Sequence, residues 1–168
     1  TRPLKDLTKE SIFNIIKHSK LLNVKLENAN ILDLFSGVGS FGLECLSLGA
    51  KTVTFLESYK GVLNVLKKNI DNLELKNYSK IIEKNIFSES TLGLLNDKFD
   101  IIFMDPPYKE KKLTDLLNII IKLELLNNNG IIIIHRHKKE EDIFPDQFNL
   151  IIKKNYGISK IIFGNLLD

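Results

Sequence analysis

The amino-acid sequence predicts an open, mostly parallel α/β sheet with an antiparallel edge. Short apolar runs rich in β-branched residues alternate with segments of helical spacing. A glycine cluster, Gly37, Gly39 and Gly42, directly follows the first of those runs. Two consecutive strand-like runs close the chain, which reads as a hairpin rather than another crossover.

Taken in order, the chain opens with a helix that Asp6 or Thr8 can cap, with Ile12, Phe13, Ile15 and Ile16 on one side. Residues 31–35 form the first strand, and the helix after the glycines runs through Leu43, Leu46 and Leu48 to Gly49. Residues 53–57 are a second strand. Val62, Leu66, Ile70 and Leu73 follow at helical intervals. Residues 80–83 and 99–104 are the third and fourth strands. Leu113, Leu116, Leu117 and Ile120 mark another helix, which the Asn127-Asn128-Asn129-Gly130 turn is expected to end. The β-branched run 131–134 suits a central strand covered on both faces. Residues 147–154 and 158–163 pair as the closing hairpin across Tyr156-Gly157. These are seven strands in a single domain spanning residues 1–168, with no repeat, low-complexity segment or linker.

Composition narrows the class. A length of 168 residues can enclose a proper core. The 43% hydrophobic and 27% charged fractions exclude a disordered or collagen-like chain. A single cysteine, Cys45, excludes a disulfide scaffold and a thiolate zinc site and fits a reducing cytoplasm. It sits between Leu43 and Leu46 as expected core. No apolar run approaches the ~20 residues of a membrane span, and the opening Thr1-Arg2-Pro3-Leu4-Lys5-Asp6 does not read as a signal peptide. The net charge is +3, yet residues 1–25 alone carry +4, from Arg2, Lys5, Lys9, Lys17, Lys20 and Lys25 against Asp6 and Glu10. A basic end on a near-neutral body is either a solvated helix face or the footprint of a polyanion partner.

Gly37-Val38-Gly39-Ser40-Phe41-Gly42 matches G-x-G-x-x-G between a strand and a helix. Glycines let the backbone turn tightly and approach a ligand, and the helix start offers free N–H groups. Glu57, at the end of the next strand, can accept from the ribose hydroxyls of an adenosine. This pattern points to an adenosine-containing cofactor without choosing one. Asp33 tilts the choice. A carboxylate beside pyrophosphate would be unfavourable, whereas the cationic sulfonium and amino group of S-adenosylmethionine favour it. The other reading of Asp33 is a brace for the loop.

The fourth strand ends in Asp105-Pro106-Pro107-Tyr108. Two prolines remove two N–H donors, so with the Asp105 carboxylate they leave an acceptor-only cluster beside an aromatic ring. Such a cluster suits an exocyclic amine on a flat base, its protons donated to Asp105 and the Pro106 carbonyl and its ring stacked on Tyr108. Holding both protons off-axis aims the amine lone pair at an electrophile, and Asp105 can take the proton afterwards.

With these motifs in place, the chain resembles the class I S-adenosylmethionine-dependent methyltransferases, and more narrowly the bacterial 16S rRNA guanine-N2 methyltransferases, the family named for guanine 966 of that RNA. The likeness runs through Arg2-Pro3-x-x-Asp6-x-x-Lys9-Glu10-x-x-Phe13-Asn14, Asp33-Leu34-Phe35-Ser36-Gly37-x-Gly39-x-x-Gly42-Leu43-Glu44, and Phe99-Asp100 to Asp105-Pro106-Pro107-Tyr108. Tyr156-Gly157 also fits, so the likeness spans essentially the whole chain. It implies a Rossmann-like class I methyltransferase fold. It also implies S-adenosylmethionine held by Asp33, Phe35, Gly37, Gly39, Gly42, Glu57, Asn85 and Ile86, with Asp105, Pro106, Pro107 and Tyr108 catalytic. The implied partner is small-subunit rRNA or a ribosomal assembly intermediate, met by a cytoplasmic monomer. Expected RNA contacts are Arg2, Lys5, Lys9, Lys109, Lys111, Lys112 and Arg136.

The chain departs from that pattern in three places. It lacks the basic β-hairpin that the family carries before Arg-Pro, which implies a truncated N-terminus. Asn85 replaces an Asp, keeping an amide oxygen for the adenine amine but losing a charge. His135 stands where Glu is expected. His135 and His137 share a strand face, but two histidines without a third ligand do not make a metal site. Other readings stay open. The tetrad also serves adenine-N6 and other amino methyltransferases on DNA or RNA. The glycine loop with Glu57 serves nicotinamide oxidoreductases, and a non-catalytic RNA-binding domain could retain the fold.

Overall fold

The computed structural model describes residues 4–107 and 112–168. Its seven-stranded sheet has the order β3-β2-β1-β4-β5-β7-β6. The strands are β1 (Asn30–Leu34), β2 (Thr52–Leu56), β3 (Ser79–Ile82), β4 (Phe99–Met104), β5 (Leu126–His137), β6 (Phe148–Tyr156) and β7 (Ser159–Leu166). The first five run parallel; β7 is antiparallel to both β5 and β6. The helices are α1 (Asp6–His18), α2 (Ser40–Ser47), α3 (Lys60–Asn72), α4 (Glu89–Leu92) and α5 (Leu113–Lys122).

Because side chains alternate along a strand, each central strand feeds two cores. Ile31, Ile101, Phe103, Ile131 and Ile133 join residues of α1, α2 and α3 on one face. Leu32, Leu34, Ile102, Met104, Ile132 and Ile134 join α4 and α5 on the other. The opening helix is tied in by a stack of aromatic rings. Phe13 lies 5.2 Å from Phe41, which lies 4.1 Å from Phe103. That stack brings the opening helix to the rim of the sheet where β1 and β4 end.

Three expectations needed correction. Helix α1 starts earlier than Thr8 and is not capped by either expected side chain. Lys5 is its N-cap, Asp6 lies in the first turn, where its charge favours the helix dipole, and Thr8 is buried. The Asn127-Asn128-Asn129-Gly130 segment does not end α5. That helix stops at Lys122, and Glu124 reverses the chain with φ of 51°. The asparagines instead lie within β5 as excess length, since Leu126 pairs with Phe99 and Ile131 already with Ile101. Asp100 holds the excess in place, accepting from Asn127 Nδ2 at 2.9 Å and from the Asn30 N–H at 2.8 Å. Leu73 follows α3 and is exposed, so Leu63 joins Leu66 and Ile70 on the buried face. The short α4 and the 3₁₀ turn Lys76–Tyr78 went unanticipated, being too brief for a periodic signal.

Candidate active site

In this strand order the chain leaves β1 first towards β2 and later returns to the other side at β4, so a crevice opens beyond the carboxyl ends of β1 and β4. A cleft lies there, lined by Asp33, Phe35, Ser36, Gly37, Phe103 and Asp105, with Leu4, Val38, Ser40, Phe41 and Val62 around them. It is an open cleft, about 510 Å³ of space with its solvent-filled mouth included.

The loop's sharp path is written in its backbone. Gly37 and Gly39 have φ of 55° and 89°, and Phe35 takes 59°, an uncommon left-handed conformation for an aromatic residue. Phe35 is held by packing against Phe87, with ring centroids 5.4 Å apart. Glu57 reaches across from β2: Oε1 accepts from the Gly37 N–H at 2.9 Å, and Oε2 from the Ser58 and Tyr59 N–H groups at 3.0 Å each. A carboxylate has about four acceptor sites, so Oε1 retains capacity for a further donor. From α3, Asn69 Nδ2 donates to the Val38 carbonyl at 3.0 Å, a support with no local signature in the sequence.

Asp33 is both brace and lining. Its Oδ2 accepts from the Gly42 N–H at 3.1 Å, fixing the start of α2, and the side chain faces the cleft while almost wholly buried. Burial is the largest cause pushing its carboxyl well above the ordinary range; the Gly42 bond opposes this, and Asp105 and Glu57 add to it. Gly42 and Gly39 line no part of the cleft. A side chain on Gly42 would meet Phe55 at 2.4 Å, so this glycine serves close helix–strand packing. Gly39 combines its positive φ with a 2.5 Å approach to Leu66.

Asp105 follows β4, and the hydrogen bond from its N–H to the Leu34 carbonyl at 3.4 Å links the β4 and β1 ends. His135 Nδ1 lies 2.8 Å from Asp105 Oδ1, and His135 Nε2 lies 2.9 Å from Ser159 Oγ. Pro106 is buried and Pro107 exposed. Asn85 is exposed, its Oδ1 accepting from the Phe87 N–H at 3.1 Å, and the Ile86 side chain is buried in the second core. Lys5 is exposed at the N-cap of α1, Lys9 reaches Ser40 Oγ at 3.3 Å, and Lys112 lies 5.6 Å over the Phe87 ring. Arg2, Tyr108, Lys109 and Lys111 lie outside the described residues.

Arg136 is the clear exception among the expected contacts. It is only 3% exposed, and Nε and a terminal nitrogen grip Asp142 at 2.9 Å each, with Glu140 at 3.6 Å. It points into the face of the sheet opposite His135 and is not a phosphate contact. Ser36, by contrast, drew no notice in the sequence. Its hydroxyl is buried beside the cleft and finds no hydrogen-bond partner among the described residues. Buried polar groups are nearly always paired, and this hydroxyl is the one buried side-chain polar atom of the described residues left with its hydrogen-bonding capacity wholly unused.

A mostly parallel sheet with this order, a glycine-rich turn after β1 and an acceptor cluster after β4 defines the Rossmann-like fold of the class I methyltransferases. Within that class the chain belongs to the family described as Conserved hypothetical protein 95, which matches residues 1–165. It is 32% identical over 162 residues to ribosomal RNA small subunit methyltransferase D of Haemophilus influenzae, covering 94% of this chain and 79% of that one. The enzyme of the same name in Buchnera aphidicola subsp. Baizongia pistaciae is 32% identical over 163 residues, or 97% and 79% of the two chains. The solved structure of HI0767 from Haemophilus influenzae superimposes with a TM-score of 0.76 at 30% identity, covering 96% of this chain and 98% of that one.

Among the described residues no helix is long and apolar enough to cross a membrane, and no three metal-ligating side chains are grouped together.

Proposed function

We propose that the chain transfers a methyl group from S-adenosylmethionine to the exocyclic N2 amine of a guanine in small-subunit rRNA. The observation that carries this reading is the placement of Asp33 and Asp105 in one cleft, with the unpaired Ser36 hydroxyl on a residue that also lines it. The names of the relatives supply the substrate class.

The residues present fit the cofactor. Glu57 Oε1 has acceptor capacity left for a ribose hydroxyl, Ser36 can pair with a polar group, and Asp33 offers a carboxylate to a cation. When bound, S-adenosylmethionine supplies an electrophilic methyl group on a sulfonium. Everything else falls to the chain. Asp105 and the Pro106 carbonyl accept from the amine protons, which turns the nitrogen lone pair out of the ring plane. Proximity and charge placement within the cleft would supply most of the acceleration. The nitrogen lone pair would form the new bond to the methyl carbon while the methyl–sulfur bond breaks and its pair stays on sulfur; Asp105 would take one N–H proton, whose electron pair remains on nitrogen. Exposed Lys5 at the start of α1, half-buried Lys9 within it and exposed Lys112 are the candidate contacts for RNA phosphates.

Asp33→Asn separates cofactor attraction from bracing. Asn retains an oxygen for the Gly42 N–H but removes a buried charge, so the ligand-free variant should melt at a higher temperature. One lost charge-assisted contact is worth about 1.5–3 kcal/mol, so S-adenosylmethionine should bind about 10- to 100-fold more weakly by calorimetry. The pH dependence has a definite sign. A carboxyl raised by folding contributes stability below its unfolded pKa and loses it as pH rises through the folded value, so the stability gain of Asp33→Asn should grow on raising pH from the ordinary carboxylate range.

The reading is tested by incubating the protein with small-subunit rRNA and isotope-labelled S-adenosylmethionine, then digesting the RNA for nucleoside mass spectrometry. Labelled N2-methylguanosine is expected. Label in N6-methyladenosine would move the acceptor to adenine, and absence of label in either purine would refute the reading.

A further inference from the structure

Of the features outside the loop and the tetrad, the chain of contacts from Asp105 through His135 to Ser159 reaches furthest. His135 lies on β5, next to β4 in the sheet, on the face that carries Asp33 and Phe103. Its ring is bonded at both nitrogens, to Asp105 Oδ1 at 2.8 Å and to Ser159 Oγ at 2.9 Å. We infer that His135 is a positioning residue for the transfer, fixing the Asp105 carboxylate so that Oδ1 is engaged and Oδ2 is presented to the amine. The inference rests on the base-methylating reading above and adds a residue to it.

The protonation pattern follows from the donor inventory. An ionised carboxylate can only accept, so the nitrogen facing Asp105 must carry hydrogen. In the neutral ring Nε2 is then an acceptor, and Ser159 Oγ–H donates to it. Which ring nitrogen holds the proton is thus set by the partner on the other side. The consequence for Asp105 is geometric. A carboxylate on a loop can rotate about its side-chain bonds, and a bond from a ring itself held at both ends removes that freedom. Among the described residues Oδ2 takes no hydrogen bond, which leaves it for the substrate.

The test pairs two amide replacements. Asparagine places its N–H₂ near the Nδ1 position, facing Asp105; glutamine places its amide near Nε2, facing Ser159. His135→Leu should lower kcat for labelled methyl transfer to rRNA about 10- to 100-fold, since small misplacements of reacting groups cost that much. KM for S-adenosylmethionine should stay within about twofold of wild type, as expected when an interaction made only in the transition state is lost. His135→Asn should recover most of the kcat and His135→Gln should not. In wild type, ¹⁵N NMR of the ring should show the Nδ1-protonated tautomer. A ring protonated only at Nε2 would overturn the inference whatever the activity. So would equal kcat in the Asn and Gln variants, or unchanged kcat in His135→Leu, while methylation by wild type left the substrate reading standing. A wild type that methylates no guanine would remove the substrate reading and this role with it.

Discussion

Asp105→Asn is expected to lower methyl transfer about 10²- to 10⁴-fold, the usual contribution of a positioned proton acceptor, while S-adenosylmethionine and RNA still bind. The asparagine is nearly isosteric and retains an oxygen for the His135 bond, so the β4 end should keep its path. The change falls on the other atom. Where Oδ2 accepts from the amine, an amide N–H₂ would present donors to donors, and no anion remains to take the proton. The variant thus loses both orientation of the lone pair and the proton acceptor. Binding should survive because the glycine loop, Glu57 and Asp33 are untouched. Calorimetry for S-adenosylmethionine, a salt-titrated RNA binding curve and nucleoside mass spectrometry on one preparation measure the three quantities separately. A kcat within threefold of wild type would remove Asp105 from the chemistry.

Much of this site was legible because its pieces are local. Glycines at 37 and 39 stand where φ is positive, and the β-branched runs located every strand, although the run 131–134 marks only the middle of β5. Spacing reports which face a residue occupies but not what it meets there. His135 was legible as a strand residue, yet its partners lie 30 and 24 residues away in the chain and meet it only through the order β4-β5-β7. Asn69 supports the glycine loop from another helix for the same reason. The asparagine run misled because its composition is that of a turn, whereas Asp100 supplies the partner that lets it lie along β5. Phe35 kept a left-handed conformation despite its side chain because Phe87 holds the ring.

Arg136 shows the same limit with an energetic consequence. Read as a cation after a strand it joins the RNA-binding rim; in the fold it neutralises Asp142 and approaches Glu140 beneath the loop that follows β5. Buried Lys160 donates to the Glu140 carbonyl from β7, so the loop is tied from two strands. A two-pronged guanidinium–carboxylate pair is the geometry in which such bonds are strongest, and removing one partner strands the other in a poorly solvated place. Arg136→Ala should therefore destabilise the protein by about 3–5 kcal/mol. At about 2–4 °C per kcal/mol for a chain of this size, the melting temperature should fall by about 6–20 °C. The double variant Arg136→Met, Asp142→Leu should recover much of that loss, since an apolar pair of similar volume leaves no stranded charge. RNA binding discriminates the two readings of Arg136 at a temperature where both proteins are folded. Lys5, proposed above to meet an RNA phosphate, should on change to Ala reduce the slope of log affinity against log salt by about 1, whereas the Arg136 variant should keep the wild-type slope. A reduced slope with an unchanged melting temperature would place Arg136 back on the RNA-facing rim.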